Sequence, residues 1–356
     1  MCDTEHTSTS WGSELKTIAV AEAVGSVLAH DITEVRQGEF KGRAFRKGHI
    51  VRDEDVGHLK RLGKEHLFVM KMAEDEMHEN DAAFALSNAL MGDGVAIQDE
   101  PSEGKINLVA KHDGLLKVNS DKLLRFNMLG EVMCASLHNN TVVKEGRVLG
   151  GVRAIPLVVK RDVVQMAVEV ASDDLSDVVF SVKKLRRPRV GVVITGNEVY
   201  EGTIKDAFKP IIDKKVKEYG GEIIGTYYAP DDKAFITERL EELLNAGADI
   251  LITTGGMSVD PDDVTRFAIR SLGAEDLLYG AAVLPGAMFL LGYIGEVPVL
   301  GIPACGMYHS ITVLDLVLPR VLAGERLTRR DIAEMGHGGL CLECENCQYP
   351  VCPFGK

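Results

Sequence analysis

Two groups of residues have types and spacings that could do chemistry. The first is the run "CLECENCQYPVCPFGK", which sets Cys341, Cys344, Cys347 and Cys352 at C-x2-C-x2-C-x4-C, with Pro353 directly behind. Four thiols this close together are hard to explain as packing. The spacing is that of the bacterial ferredoxin run with one residue added before the last cysteine. It also fits a tetrahedral four-cysteine zinc site. An Fe–S cluster and Zn²⁺ both stay open, and His337 is available but unneeded as a ligand. A metal tail of this kind suggests an accessory protein that docks to a partner or senses redox state.

The second group lies on three short turns, "TGNE" at 195–198, "TGGMSVDPDD" at 254–263 and "PACG" at 303–306. Gly255 and Gly256 let backbone approach a ligand closely. Ser258 adds a hydroxyl, and a helix starting just after it would aim its orphan N–H groups at an anion. The same residues also read as capping, with Asp260 at the N-cap, Pro261 at N1 and Asp263 at N3. Glu198 and Asp206 flank the loop "NEVYEGTIKD" and could hold Mg²⁺ beside a phosphate; solvated surface acids are the rival reading. Cys305 sits between a strand and a helix start, where a dipole lowers a thiol's pKa and could make a nucleophile. An inert cysteine under the helix is the alternative, with His309 one turn along as packing.

The elements that would position these turns are legible after Pro188. "RVGVVIT", "EIIGTYY", "DILITT" and "VPVLGIP" read as buried strands. Between and after them, "FKPIIDKKVKEYGG", "DKAFITERLEELLNAGA", "PDDVTRFAIRSLG" and "MYHSITVLDLVLPRVLAG" read as helices. Strands alternating with helices predict an α/β fold with a doubly wound, mostly parallel sheet. Ligands of such sheets bind outside the carboxyl ends of the strands, so the three turns are expected on one rim.

Upstream, residues 1–14 read as a flexible tail. Residues 15–73 form an N-terminal region of short apolar runs, with a helix in "RDEDVGHLKRLG" ended by Gly63. Residues 74–182 read as an α+β or β-rich module whose first helix carries Phe84, Leu86, Ala89 and Leu90. The wound domain takes 183–330, and 331–356 the cysteine tail.

The 356 residues are 46 % hydrophobic and 26 % charged, with a formal net charge of −13. That balance argues against a nucleic-acid partner, and the short basic cluster "KKLRRPR" reads as a linker. No run reaches the ~18 apolar residues of a membrane span, and the polar start lacks a signal peptide's apolar core. A cytoplasmic protein is expected, in which seven cysteines are not a disulfide framework.

"VITGNEVYEGTIKD", "DILITTGGMSVDPDDV" and "LPGAM" resemble, in order and spacing, the motifs of the molybdopterin-binding domain found in molybdopterin molybdotransferases, the gephyrin E-domain group and molybdopterin adenylyltransferases. "EAVGSVLAHDI" and "RKGHIVRDEDVGHLKRLG" resemble the molybdotransferases' flanking segments. The resemblance covers 188–325 well, 15–72 weakly and the middle module hardly at all. It implies a rim that binds molybdopterin, adenylylated or not, through Thr195, Gly196, Asn197, Thr254, Gly255, Gly256, Ser258, Pro285, Gly286, Pro303 and Cys305. It further implies catalytic acids Glu198, Asp206 and Asp263 around Mg²⁺ for molybdate insertion, a homodimer, and partners among cofactor-biosynthesis proteins or apo-molybdoenzymes.

The chain also departs from the pattern. Asn197 replaces an aspartate, Phe208 an asparagine, and Asp260 a glycine. Ala287 and Met288 stand for lysine–proline, and the proline–glycine–asparagine–proline loop reads Pro303, Ala304, Cys305, Gly306. A lysine lost and a carboxylate gained make a dianion less welcome, by about 1–4 kcal/mol at ~4 Å and surface-like dielectric. Cofactor binding in molybdenum or tungsten cofactor biosynthesis is the leading expectation, with molybdate insertion as its enzymatic form. A non-catalytic carrier, chaperone or redox sensor is the alternative, and a thiol enzyme using Cys305 the third. A Cys305 thiolate touching molybdenum or a transferred sulfur is a further option.

Overall fold

The computed structural model describes residues 16–36, 40–70, 72–101, 104–173, 178–257 and 264–356. The tail expected at 1–14 lies outside them, as do Ser258, Asp260 and Asp263. The chain forms two compact units. One runs up to His112 and adds Leu116–Leu137 and Lys144–Val182; the other comprises Asp113–Leu115, His138–Val143 and Lys183–Lys356.

In the first unit, strands Lys16–Ala19, His66–Met70 and Val27–Leu28 pair antiparallel. Helix Asp53–Arg61 buries Leu59 in the same core as Leu28 and Val69. Gly63 takes φ +74° two residues beyond this helix, a conformation that suits only glycine well, and ends it as its sequence suggests. Further along, Val132–Ser136, Val148–Ala154, Lys105–Ala110 and Val95–Ile97 make a four-stranded antiparallel sheet. Helices Glu79–Leu90 and Arg161–Ser172 accompany it, so the region is α+β. The first of these helices buries Ala82, Ala83, Leu86 and Leu90. Phe84 and Ala89, read as part of that face, are half-buried instead.

The second unit is a wound α/β sheet of six strands: β1 (Arg189–Thr195), β2 (Glu222–Ala229), β3 (Ile250–Thr254), β4 (Glu275–Tyr279), β5 (Leu290–Ile294) and β6 (Val297–Ile302), in the order β2-β1-β3-β6-β5-β4. The first four in that order are parallel; β5 and β4 add an antiparallel edge that no strand reading had covered. Helices are α1 (Asn197–Tyr200), α2 (Phe208–Glu218), α3 (Lys233–Asn245), α4 (Thr265–Ser271), α5 (Val313–Leu322) and α6 (Arg329–Glu334).

The strands are apolar on both faces because both are covered. Val190, Val192, Ile252 and Leu300 meet α2 and α5 on one side. Val193, Leu251 and Val299 meet α3 and α4 on the other. The cysteine run joins this unit as well: Phe354 is 2 % exposed within the α2–α5 core, and Tyr349 and Cys352 pack against it. The chain end is therefore part of the fold rather than an appendage.

Candidate functional site

Register sets the site. Ile194 pairs with Thr254, and Thr254 with Ile302, so the exits of β1, β3 and β6 leave the sheet abreast. Beyond β3 the chain turns through Gly255 (φ +77°) and Gly256 (φ +56°). A Cβ on Gly255 would lie 2.4 Å from the Thr195 carbonyl oxygen, and one on Gly256 2.2 Å from Thr265 Oγ1. The two glycines thus let three chain segments crowd at one point. Thr195, 5 % exposed, binds them: its hydroxyl donates to the Thr254 carbonyl at 2.8 Å and lies 3.2 Å from Thr265 Oγ1. These bonds tie the end of β1 to β3 and to α4.

A hollow of about 710 Å³ opens beside this crossing. Its walls are residues 255–257 from the β3 exit, 284–288 from the β4–β5 turn and 303–305 from the β6 exit, with His309, Leu340, Cys341 and Glu343. Gly286 (φ +129°) makes the turn close-fitting, since a Cβ there would meet Val313 Cγ1 at 2.5 Å. Tyr279 steadies the opposite wall by donating its hydroxyl to the Met257 carbonyl at 2.5 Å. Arg266 stacks on that tyrosine, 5.6 Å from the ring. Its Nε is buried without a hydrogen-bond partner among the described residues.

Of the residues singled out from the sequence, Gly255, Gly256, Pro285, Gly286, Pro303 and Cys305 line this hollow. Thr195, Gly196, Asn197, Thr254, Glu198 and Asp206 are absent from its described lining. Asn197 instead exchanges hydrogen bonds with Asp231, backbone to side chain in both directions, at 3.2 and 3.1 Å. Glu198 is exposed on α1. Asp206 accepts from the backbone N–H of Phe208 at 2.7 Å and of Lys209 at 3.2 Å, which occupies it in starting α2. Ser258 and Asp263 lie outside the described residues. Asp260 and Pro261 of the capping reading lie outside them too; the described helix begins at Thr265, with Val264 in its cap position and no side-chain cap bond.

The expected activation of Cys305 does not follow from its surroundings. What comes after β6 is a single 3-10 turn, Ala304–Met307, rather than the start of a long helix. Burial pushes the thiol up from its ordinary range, outweighing the help of the Gly306 N–H. A thiol held protonated is a poor nucleophile.

The four C-terminal cysteines ring a second hollow of about 240 Å³, with Tyr308 and His309 on its wall. All four are free thiols; Cys341 and Cys352 are half-buried, Cys344 and Cys347 exposed. Among the described residues, no three His, Cys, Asp or Glu side chains stand together as a group able to hold one metal ion. Sequence reasoning missed His309 and Glu343 as wall residues. Only the chain's return to the rim, invisible in the periodicity, puts Glu343 there, while His309 follows the β6 exit. Among the described residues no helix is long and apolar enough to cross a membrane.

Comparison with known proteins places these features. Residues 191–323 match the family described as a probable molybdopterin binding domain, and residues 17–71 match a domain of unknown function. A CinA-like protein of Thermosipho melanesiensis is 36 % identical over 88 residues, 25 % of this chain and 22 % of that protein. One from Fervidobacterium nodosum is 28 % identical over 125 residues, 35 % of this chain and 30 % of its own length. The chain thus spans less than a third of these relatives. The molybdopterin biosynthesis enzyme MoaB of Thermus thermophilus is 23 % identical in structure-based alignment, with 39 % of this chain and 98 % of that chain covered and a TM-score of 0.34. A molybdopterin biosynthesis MoeA protein from Pyrococcus is 16 % identical, covering 88 % of this chain and 76 % of that chain, with a TM-score of 0.33. Residues 191–323, whose strand exits and Pro285–Gly286 turn form most of the larger hollow's walls, are thus the segment similar to a probable molybdopterin binding domain.

Proposed function

We propose that the larger hollow binds molybdopterin and that the protein holds this cofactor during molybdenum or tungsten cofactor biosynthesis. One observation carries the reading. A hollow of about 710 Å³, walled by a glycine pair, a proline–glycine turn and a strand exit, takes most of its walls from the segment matched to the probable molybdopterin binding domain. Its size falls within the roughly 300–1,000 Å³ usual for a bound small molecule. Its walls suit a flat ring: Met257, Leu284 and Met288 are apolar, and the glycines present bare backbone.

Holding the cofactor is favoured over inserting molybdate because neither Glu198 nor Asp206, the described acids proposed for Mg²⁺, lines the hollow. Asp206 starts a helix, Glu198 is exposed off the hollow, and Glu343 is the carboxylate in the described lining. Molybdate insertion into adenylylated molybdopterin, with Mg²⁺ held by Glu198, Asp206 and Asp263, is the second reading. A soft metal at Cys341, Cys344, Cys347 and Cys352, and a cytoplasmic homodimer that serves other cofactor-biosynthesis proteins or apo-molybdoenzymes, belong to the same proposal.

The test is chemical. Protein purified without oxygen is expected to release a pterin detectable by fluorescence and mass after oxidation. Ala304→Trp, which fills the hollow from an exposed position, should lower retained pterin by at least about tenfold, a loss of ~1.4 kcal/mol. Wild-type protein that neither retains nor takes up pterin would refute the reading. Molybdate- and Mg²⁺-dependent release of AMP from the adenylylated cofactor would promote the second reading to first.

A further inference from the structure

The cysteine hollow asks a sharper question than whether metal binds, namely which kind of metal group fits. A lone zinc ion holds its thiolates at about 2.3 Å, which draws the four sulfurs to within ~4 Å of one another. The four cysteines line a space of about 240 Å³, room for a guest of several atoms rather than a single ion. A [4Fe–4S] cluster makes the opposite demand: each cysteine takes its own iron, so the thiols must stand apart around a guest of several atoms.

Both ends of the cysteine segment are tied into the fold. Its first end is bridged to Leu284, whose N–H donates to the Gly339 carbonyl and whose carbonyl accepts from the Cys341 N–H, both at 2.8 Å. Its other end is anchored by Phe354 in the core and by the Gly355 N–H donating to the Gly338 carbonyl at 2.9 Å. Tyr349 packs edge-on to Phe354, 6.3 Å between ring centres, beneath the loop.

We propose that Cys341, Cys344, Cys347 and Cys352 ligate one iron–sulfur cluster in this hollow, each thiol losing its proton to bind a separate iron. The site abuts the ligand hollow, because His309, Cys341 and Glu343 wall both. Ligation of Cys341 fixes the segment that carries Glu343, so cluster loading shapes the neighbouring wall. By linkage, ligand and cluster then strengthen each other's binding equally. This coupling, unlike the cluster itself, rests on the cofactor reading of the larger hollow.

The full chain, purified and incubated with iron and sulfide in the absence of oxygen, should take up iron and acid-labile sulfide in equal amounts. It should gain a broad visible charge-transfer band. The doubly substituted Cys344→Ser, Cys347→Ser protein should lose the band while keeping its far-ultraviolet circular dichroism, because both side chains are exposed. Uptake of one zinc per chain with no iron chromophore overturns the proposal, as does a chromophore that survives the double substitution. Pterin retention should be about tenfold greater in the loaded than in the cluster-free protein, within the usual range of coupling. Equal retention removes the coupling and leaves the cluster. Absence of pterin in both forms refutes the cofactor reading while the iron result stands.

Discussion

An alanine at position 255 has nowhere to go. Its Cβ would press to 2.4 Å from the Thr195 carbonyl, and the backbone there is left-handed at φ +77°. The conformation alone costs an L-residue roughly 1–2 kcal/mol, and overpacking adds about 1–3 kcal/mol. Gly255→Ala should therefore lower stability of the C-terminal unit by about 2–5 kcal/mol and empty the hollow, read from denaturant midpoints and retained pterin. A change below ~0.5 kcal/mol would show that the crossing is looser than drawn. The cysteines make a second prediction at this scale. In metal-free protein at neutral pH, iodoacetamide should modify exposed Cys344 and Cys347 first. Cys305, whose thiol burial pushes up, should follow more slowly. Cys134, pushed up to about 12, should come last. Mass spectrometry of timed digests reads the order, and Cys305 reacting first would restore the thiol-enzyme reading.

At the scale of elements, the tie between α2 and α5 is the informative one. Lys215, nearly buried, donates to the Ser310 carbonyl at 3.0 Å and to Asp315 Oδ1. Asp315 also accepts from the Thr312 N–H at 2.7 Å, closing the capping box of α5. One charge pair thus holds the loop between β6 and α5 that walls both hollows. Asp315→Leu leaves the lysine charge buried and unpaired, which should cost about 3–5 kcal/mol. Lys215→Met on top of it should recover much of that loss. A double-mutant cycle in urea measures both, and additive losses would refute the pairing. The same scale shows what was readable in advance. Strands 189–195, 250–254 and 297–302 announced themselves because burial on both faces leaves long apolar runs, while the half-buried edge strand 222–229 was marked by its isoleucines and tyrosines. The β4–β5 hairpin did not: β4 is short and half-exposed, its Asp276 is left-handed, and its pairing with β5 slips register. At the rim, the glycine and proline turns were legible because their backbone needs are local. The acids were not, since whether Asp206 binds a metal or starts a helix depends on a backbone no spacing reveals.

At the scale of the molecule, the chain end returns to the sheet it grew from, and a phenol governs how firmly it stays. Burial pushes Tyr349 up to about 12, with the carboxylate of Asp315 and the thiol of Cys352 acting in the same direction. A raised pKa means the folded protein favours the neutral phenol. The stabilisation is complete below the unfolded value of about 10 and is lost as pH climbs through the folded value. The α2–α5 core, with the cysteine segment on it, should therefore weaken in alkali by ionisation of one identifiable group. Tyr219, also pushed up by burial, adds to the trend from the same core. Tyr349→Phe removes the ionisation while keeping the ring contact with Phe354. Denaturant midpoints at pH about 9 and about 11, either side of the free phenol's value, should fall further in wild type than in the variant. The difference between the two falls is the contribution of Tyr349, free of every other group that titrates in that range. Equal falls would mean the phenol reaches water in the folded state, and the docking of residues 349–354 would then have to rest on Phe354 alone.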